Sequence, residues 1–215
     1  MELPSGPIGE IDPDFERTAL AVGTAMWSIE GLSMREKALL CIASNVCGPS
    51  LGISFALHVQ MAKANGVDRE AIRETVRHLA PYCGYPSALE ALAALARIPD
   101  PAGSQEKQPA DQSAVHIDCE AVLAPLASLG GPLGRALIAS WSRPQLTLPE
   151  RALIALAADV SFGTLDASFA THVEIAHAAG IDAVKLDATL DFVTEFGVAR
   201  ARAAREALRH MRERS

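Results

Sequence analysis

The sequence predicts an all-α protein built from two tandem copies of one helical unit. Hydrophobic residues make up 49% of the 215-residue chain but aromatic residues only 5%. The core must therefore consist largely of aliphatic side chains and alanine, the strongest helix former. No segment shows the sustained apolar–polar alternation of a half-buried strand. Shifting the chain by 114 residues aligns Leu32–Cys83 with Leu146–Gly197, and 17 of these 52 positions are identical. Such agreement indicates an internal duplication.

In each copy a helix cap precedes an apolar run. Ser33 can cap a helix, and Glu36, three residues later, completes a capping box. The segment Ala38–Val46 that follows is apolar on nearly all sides, which predicts a central buried helix. Copy two repeats the arrangement with Thr147, Glu150 and Ala152–Val160.

The next helix of each copy carries a histidine on its apolar stripe. His58 shares this stripe with Phe55 and Ala62, at helical spacing. Gly66 is placed to end the helix, and Asp68 to cap the one that follows. The corresponding residues of copy two are Phe169, His172, Ala176, Gly180 and Asp182.

Composition and charge narrow the classes of function. A net charge of −7 argues against a general nucleic-acid binder. No apolar run is long enough to span a membrane, and no signal peptide is visible, so we expect a cytoplasmic protein without membrane contact. The four cysteines form no C-x-x-C pair, and we expect neither a disulfide scaffold nor a metal site. We place the two repeats at 14–98 and 114–212, joined by a Pro-rich linker at 99–113.

The two histidines are the leading catalytic candidates. An imidazole in a mostly apolar wall can act as a general acid or base, because its pKa lies near neutrality. The alternative is that His58 and His172 are core residues whose rings are hydrogen-bonded to carbonyl groups. Their presence in both copies is compatible with either interpretation.

Further candidates lie in loops and at helix ends. The segment Pro81–Pro86 holds Tyr82 and Cys83, and the cysteine is either a reactive thiol or a small apolar filler. Arg143 can bind a substrate carboxylate through two hydrogen bonds, or it is a surface arginine. The remaining expected pocket residues are Trp27, Trp141 and Glu195.

These motifs resemble the carboxymuconolactone decarboxylase family. The resemblance rests on Leu57-His58, Ala64–Val67, Tyr82–Pro86 and Trp141–Leu146. It implies helical units paired about a pseudo-twofold axis, a trimer of duplicated chains, and a small-molecule substrate. It also implies decarboxylation without a cofactor, in which a carbon of an unsaturated lactone acid is protonated as carbon dioxide leaves.

The sequence departs from the family pattern at two places. The arginine that the family has two residues before the histidine is replaced by Ala56 and Ala170. The related alkylhydroperoxidase D branch has a C-x-x-C motif, whose positions are here Leu51 and Ser54, and Leu165 and Ser168. Thiol peroxidase chemistry needs both a nucleophilic and a resolving cysteine, so this activity is disfavoured.

We therefore expect a cofactor-free lyase, of decarboxylase or isomerase type, acting on a small organic acid or lactone. The rivals are a non-catalytic ligand-binding paralogue and, more weakly, a thiol-dependent peroxidase. We also expect the copies to differ: one pocket would combine His58, Tyr82–Pro86 and Arg143 while the other decays. The alternative is that both pockets are degenerate.

Overall fold

A computed structural model describes residues 7–100, 123 and 131–214, and their regular secondary structure is entirely helical. Repeat one comprises α1 (Pro13–Trp27), α2 (Met34–Cys47), α3 (Ile53–Ala64), α4 (Arg69–Cys83) and α5 (Tyr85–Arg97). Repeat two comprises α6 (Gly131–Trp141), α7 (Leu148–Phe162), α8 (Ala167–Ala178), α9 (Ala183–Phe192), a 3-10 turn (Val193–Phe196) and α10 (Val198–Arg214). The predicted all-α class and tandem duplication are confirmed. Most of the predicted linker and the beginning of copy two lie outside the described residues.

The predicted helix caps are present. Ser33 accepts a hydrogen bond from the backbone N–H of Glu36, whose carboxylate accepts one from the backbone N–H of Ser33. Thr147 and Glu150 form the same capping box at the start of α7. Capping boxes satisfy backbone N–H groups that have no partner within the helix, and they fix where the two central helices begin.

The central helices α2 and α7 form the core. Every residue from Glu36 to Cys47 in α2 is buried, as is every residue from Glu150 to Val160 in α7. The two helices pack against each other, and α4 packs against both. The all-round apolar pattern of these segments is thereby explained, because neither helix has a solvent face.

The two repeats exchange contacts reciprocally. Helix α6 of repeat two packs on α4 of repeat one, while α1 of repeat one packs on α9 of repeat two. The capping-box glutamates follow the same rule: Arg35 pairs with Glu150 at 2.6 Å, and Lys185 pairs with Glu36 at 2.8 Å. These reciprocal contacts are those of a pseudo-twofold pair. Among the described helices, none is both long and apolar enough to cross a membrane.

Candidate active site

A chain of hydrogen bonds joins the two repeats around His172. Asp159 on α7 contacts Nδ1 of His172 on α8 at 2.5 Å. The other ring nitrogen, Nε2, lies 3.2 Å from the hydroxyl of Tyr82 on α4. That hydroxyl accepts a hydrogen bond from the indole N–H of Trp141 at 3.1 Å. Repeat one therefore completes a site whose other members belong to repeat two.

The Asp159 carboxylate is buried, and both of its oxygens have hydrogen-bond partners. Its Oδ1 accepts hydrogen bonds from the hydroxyls of Thr164 and Ser168, both at 2.7 Å, while Oδ2 contacts His172. A buried carboxylate is stabilised when its oxygens accept hydrogen bonds in this way. Because a carboxylate can only accept, Nδ1 of His172 carries its proton, which fixes how the imidazole is held.

The hydroxyl of Tyr82 can relay a proton. When the His172 ring is neutral, its Nε2 accepts the Tyr82 proton. When the ring is protonated, Tyr82 accepts from both His172 and Trp141, and its own O–H can donate elsewhere. Burial raises the pKa of the Tyr82 phenol, and the bond from Trp141 acts in the opposite sense. Tyr82 is therefore a donor in its resting state.

The equivalent site around His58 has different chemistry. Asn45 stands at the position of Asp159, with its Oδ1 2.5 Å from Nδ1 of His58. The Asn45 amide nitrogen donates to the hydroxyl of Ser54 and to the backbone carbonyl of Ser50. Burial lowers the pKa of His58 to about 4, so the ring is neutral at pH 7. The His58 ring meets Phe196, at the position of Tyr82, edge to face.

Glu195 precedes Phe196, whose ring contacts His58, and Trp27 is the equivalent in repeat one of Trp141. Burial raises the pKa of Glu195, and its Oε2 is buried without a hydrogen-bond partner among the described residues. The half-buried Trp27 packs edge to face on Phe192, with ring centroids 6.0 Å apart. In contrast, Trp141 is only 2% exposed. The two predicted tryptophans therefore occupy equivalent positions in chemically different sites.

Arg143 is engaged away from both histidines. Its Nε donates to the buried carboxylate of Glu74 at 2.7 Å, and Glu74 also pairs with the fully buried Arg151 at 3.1 Å. Glu74 precedes Tyr82 by eight residues, or about 12 Å along α4. The expected pocket of His58, Tyr82–Pro86 and Arg143 is therefore wrong: the reciprocal packing brings Tyr82 to His172 and leaves Arg143 beside Glu74.

The cysteines offer no activated thiol among the described residues. Cys41 and Cys47 are buried and Cys83 is half-buried, and all three are free. Burial raises the pKa of each thiol. The Cys83 sulfur lies 3.6 Å from the carbonyl of Gly84. This environment favours the interpretation of Cys83 as a small filler beside Tyr82.

Sequence reasoning missed Asp159 as the partner of His172. The available signal was a polar residue in an otherwise apolar central helix, 13 positions before the histidine and matched by Asn45 in copy one. It also missed His78, whose ring packs against Tyr82 and Trp141. His78 lies one helical turn before Tyr82, so the periodicity of α4 places both on one face.

Two surface clefts lie apart from these networks. The larger, of about 380 Å³, lies between α8 and α10 beside Ala170, and the smaller, of about 320 Å³, lies between α3 and α5 beside Ala56. Each alanine precedes its histidine by two residues and so projects from nearly the opposite side of the helix. We therefore assign the chemistry to the hydrogen-bonded networks and not to the clefts.

Comparison with protein families identifies the fold. A model of the carboxymuconolactone decarboxylase family matches residues 13–97 and 133–210, one segment in each repeat. The chain belongs to the carboxymuconolactone decarboxylase family. A crystal structure from Burkholderia xenovorans, described as a gamma-carboxymuconolactone decarboxylase subunit, shares this fold with a TM-score of 0.53 and 17% identity. The similarity covers 98% of this chain and 93% of that one.

A second similar protein has a name that states its reaction. The chain is 39% identical over 75 residues to the nitrosuccinic acid decarboxylase npaB of Metarhizium robertsii. The match covers 35% of this chain and 51% of the relative, so the chain spans about half the length of that enzyme.

Proposed function

We propose that this protein is a cofactor-free decarboxylase of a small organic acid, with Tyr82 and His172 as its proton donors. The observation that carries the proposal is the continuous chain of hydrogen bonds from Asp159 through His172 to Tyr82. A carboxylate, an imidazole and a phenol in series can store a proton and deliver it at one end.

The reaction needs only one proton from the protein. The bond between the substrate carbon and its carboxylate breaks, carbon dioxide leaves, and the electron pair remains on the substrate. An electron-withdrawing group of the substrate must hold that pair. Tyr82 then protonates the carbon and takes a proton from Nε2 of the protonated His172. The Asp159 carboxylate stabilises the imidazolium before transfer, and the Trp141 N–H stabilises negative charge on the Tyr82 oxygen.

The names of the relatives support this class of substrate. Nitrosuccinic acid and carboxymuconolactone are both small carboxylic acids with a second electron-withdrawing group. Neither name fixes the substrate of this chain. We propose an acid of that class. The family has an arginine two residues before the histidine, but Ala56 and Ala170 stand at this position here, so neither can bind a further carboxylate.

The test is carbon dioxide release from nitrosuccinate and from γ-carboxymuconolactone. Tyr82→Phe and His172→Gln should each reduce kcat by about 10²–10⁴-fold, the usual contribution of general acid catalysis. His58→Gln is the matched control from repeat one and should retain turnover. Equal losses for both histidine variants would contradict the assignment to His172, and turnover of neither acid would remove the support for this substrate class.

A non-catalytic role has one observation in its favour. His172 is only 1% exposed, and both of its nitrogens contact protein side chains, as in a purely structural network. In that case Tyr82→Phe would lower stability by about 1 kcal/mol, the usual net contribution of a hydrogen bond, without any associated activity. Measuring unfolding and turnover on the same variants separates the two functions.

A further inference from the structure

We propose that Arg77 and Arg143 form an anion site, which binds a phosphate group, either free or as the ester of a small molecule. The site lies where the two repeats meet, because Arg77 belongs to α4 of repeat one and Arg143 follows α6 of repeat two. The proposal goes beyond the decarboxylase function and does not depend on it, because neither arginine belongs to the His172 network.

A single buried carboxylate holds the two arginines together. Oε2 of Glu74 lies 2.7 Å from Nε of Arg143 and 3.6 Å from Nη1 of Arg77. Oε1 of Glu74 lies 3.1 Å from Nη2 of Arg151, and the side chains of Glu74 and Arg151 are both unexposed. The carboxylate is therefore fixed inside the protein. Two guanidinium groups that contact one of its oxygens are close enough to bind a second anion together.

Both arginines retain hydrogen-bond donors for a ligand. The side chain of Arg143 is 46% exposed and that of Arg77 is 38% exposed. Within the described residues only Nε of Arg143 meets an acceptor, so its two terminal nitrogens remain as a parallel pair of donors. Such a pair matches the spacing of two oxygens of a phosphate group. Arg77 donates to Glu70 through Nη1 and has further N–H groups to offer.

The charges linked to Glu74 do not cancel. Among the described residues, one chain of ion pairs joins four arginines to two glutamates: Arg73, Arg77, Arg143 and Arg151 with Glu70 and Glu74. Two positive charges therefore remain, in a chain whose net charge is −7. A phosphate ester carries nearly two negative charges at neutral pH and offers three strong acceptor oxygens, so it matches both the charge and the donors. A single carboxylate balances only half of the charge.

The equivalent place in the other repeat lacks this pair of cations. The 114-residue shift puts Ile29 at the position of Arg143 and Asp191 at that of Arg77. Asp191 is paired with Arg205 of α10. An apolar and an acidic residue thus stand where the site has its two arginines. The duplication therefore predicts one anion site per chain, and it supplies an internal comparison in which the same backbone carries no such site.

The experiment is isothermal titration calorimetry of the full chain at pH 7.5 and constant ionic strength, with glycerol 3-phosphate, inorganic phosphate and acetate as probes. Glycerol 3-phosphate should bind saturably with one site per chain, and acetate should bind about tenfold more weakly or less, because it forms fewer charged hydrogen bonds. Equal binding of the two phosphates would identify the free group as sufficient, and tighter binding of glycerol 3-phosphate would identify an ester. Equal affinity for acetate, or no saturable binding of either phosphate, would overturn the proposal.

Variants of Arg143 test its contribution directly. Arg143→Gln should bind glycerol 3-phosphate about tenfold more weakly or less, and Glu74 keeps its ion pair with Arg151 in this variant, so the fold is retained. Arg143→Lys keeps the charge without the paired donors and should recover only part of the loss. Arg202→Gln removes the same charge from an exposed residue of α10 and is the control. Equal losses for Arg143→Gln and Arg202→Gln would show attraction to the overall charge of the chain and would refute the site.

Arg77→Gln tests the contribution of repeat one. It should also weaken the binding of glycerol 3-phosphate, because the ligand then meets one guanidinium group in place of two. Unchanged binding by Arg77→Gln would show that the two repeats do not share the site. These measurements involve no turnover, so failure of the decarboxylase proposal leaves them interpretable.

Discussion

The two histidines differ because one is hydrogen-bonded to an asparagine and the other to an aspartate. Each partner presents an oxygen to its histidine, Oδ2 of Asp159 or Oδ1 of Asn45. The other atom differs: Oδ1 of Asp159 accepts a hydrogen bond from Ser168, whereas the amide nitrogen of Asn45 donates one to the equivalent Ser54. A carboxylate stabilises a protonated imidazole, and a neutral amide does so far less. This difference makes His172 the candidate acid and leaves His58 as a neutral ring.

Exchanging these two residues should exchange the properties of the histidines. Asp159→Asn should reduce decarboxylation by about 10²–10⁴-fold, because the amide cannot stabilise the imidazolium. Asn45→Asp should raise the pKa of His58 from about 4 toward its ordinary value, since a negative charge then faces Nδ1. Turnover and an NMR titration of His58 measure the two effects. An unchanged His58 titration in Asn45→Asp would show that burial alone sets its pKa.

A second prediction concerns the fully buried His78. Burial, reinforced by the charge of Arg151, lowers the pKa of His78 to about 3. As pH falls below about 6.5, the unfolded chain takes up a proton that the folded chain refuses, so stability decreases by about 1.4 kcal/mol per pH unit until the folded pKa is reached. His78→Phe, which copies Phe192 of the other repeat, should remove this contribution.

The measurement is urea unfolding of the parent and His78→Phe between pH 7 and pH 5. The parent should lose about 2 kcal/mol more than the variant over this interval. The hydrogen bond from His78 to the carbonyl of Arg151 is absent from the variant at every pH, so its loss shifts the whole curve and not its slope. Parallel curves would show that His78 does not contribute to acid sensitivity.

At the scale of elements, the buried ion pair between α4 and α7 gives a third prediction. Glu74 is unexposed and pairs with the unexposed Arg151. Glu74→Ala should destabilise the protein by about 3–5 kcal/mol, because it leaves a buried charge without its counter-ion. In the other repeat Lys37 stands at the position of Arg151, and Ala188 stands at that of Glu74. The Lys37 ammonium group donates to the backbone carbonyls of Trp27 and Ile29.

The double variant Glu74→Ala with Arg151→Lys copies that second arrangement. It should recover part of the stability lost in Glu74→Ala, because an ammonium group needs fewer acceptors than a guanidinium group. Urea midpoints of the two single variants and the double variant form the thermodynamic cycle. Strictly additive losses would mean that the additional donors of the Arg151 guanidinium group are not what Glu74 satisfies.

The helices were predictable because their signals are local. The capping box at Ser33 and Glu36 depends on residues within one turn, and the stop at Gly66 depends on its positive φ of 78°. The pairing of Tyr82 with His172 joins residues 90 positions apart and depends on how α4 of repeat one packs against repeat two. The duplication revealed equivalent residues but not which repeat supplies each partner, and this is why the expected pocket named the wrong histidine.

At the scale of the whole molecule, assembly remains a prediction. The family resemblance implies a trimer, and apolar side chains remain exposed on the single chain. Helix α1 has no buried residue, and it carries large apolar side chains. Phe15 is 63% exposed and Leu20 is 55% exposed. Exposed apolar side chains grouped on one element mark a contact surface for another protein.

Multi-angle light scattering at micromolar concentration should therefore report a closed oligomer, most simply three chains. Phe15→Glu should shift the distribution toward monomers, since a charge buried in an interface without a partner is costly. Arg17→Glu, a charge change on the same helix at a residue whose side chain is 76% exposed, is the control. A parent protein that stays monomeric would contradict the assembly.

The exchange of contacts between the repeats also constrains how this chain can evolve. Tyr82 serves a histidine of the other repeat, and Arg35 and Lys185 each hold a glutamate of the other repeat. A substitution in one half is consequently selected for its effect in the other. Recombination that replaced a single half with that of a distant homologue would separate these partners, so the two halves must be inherited together and change in step.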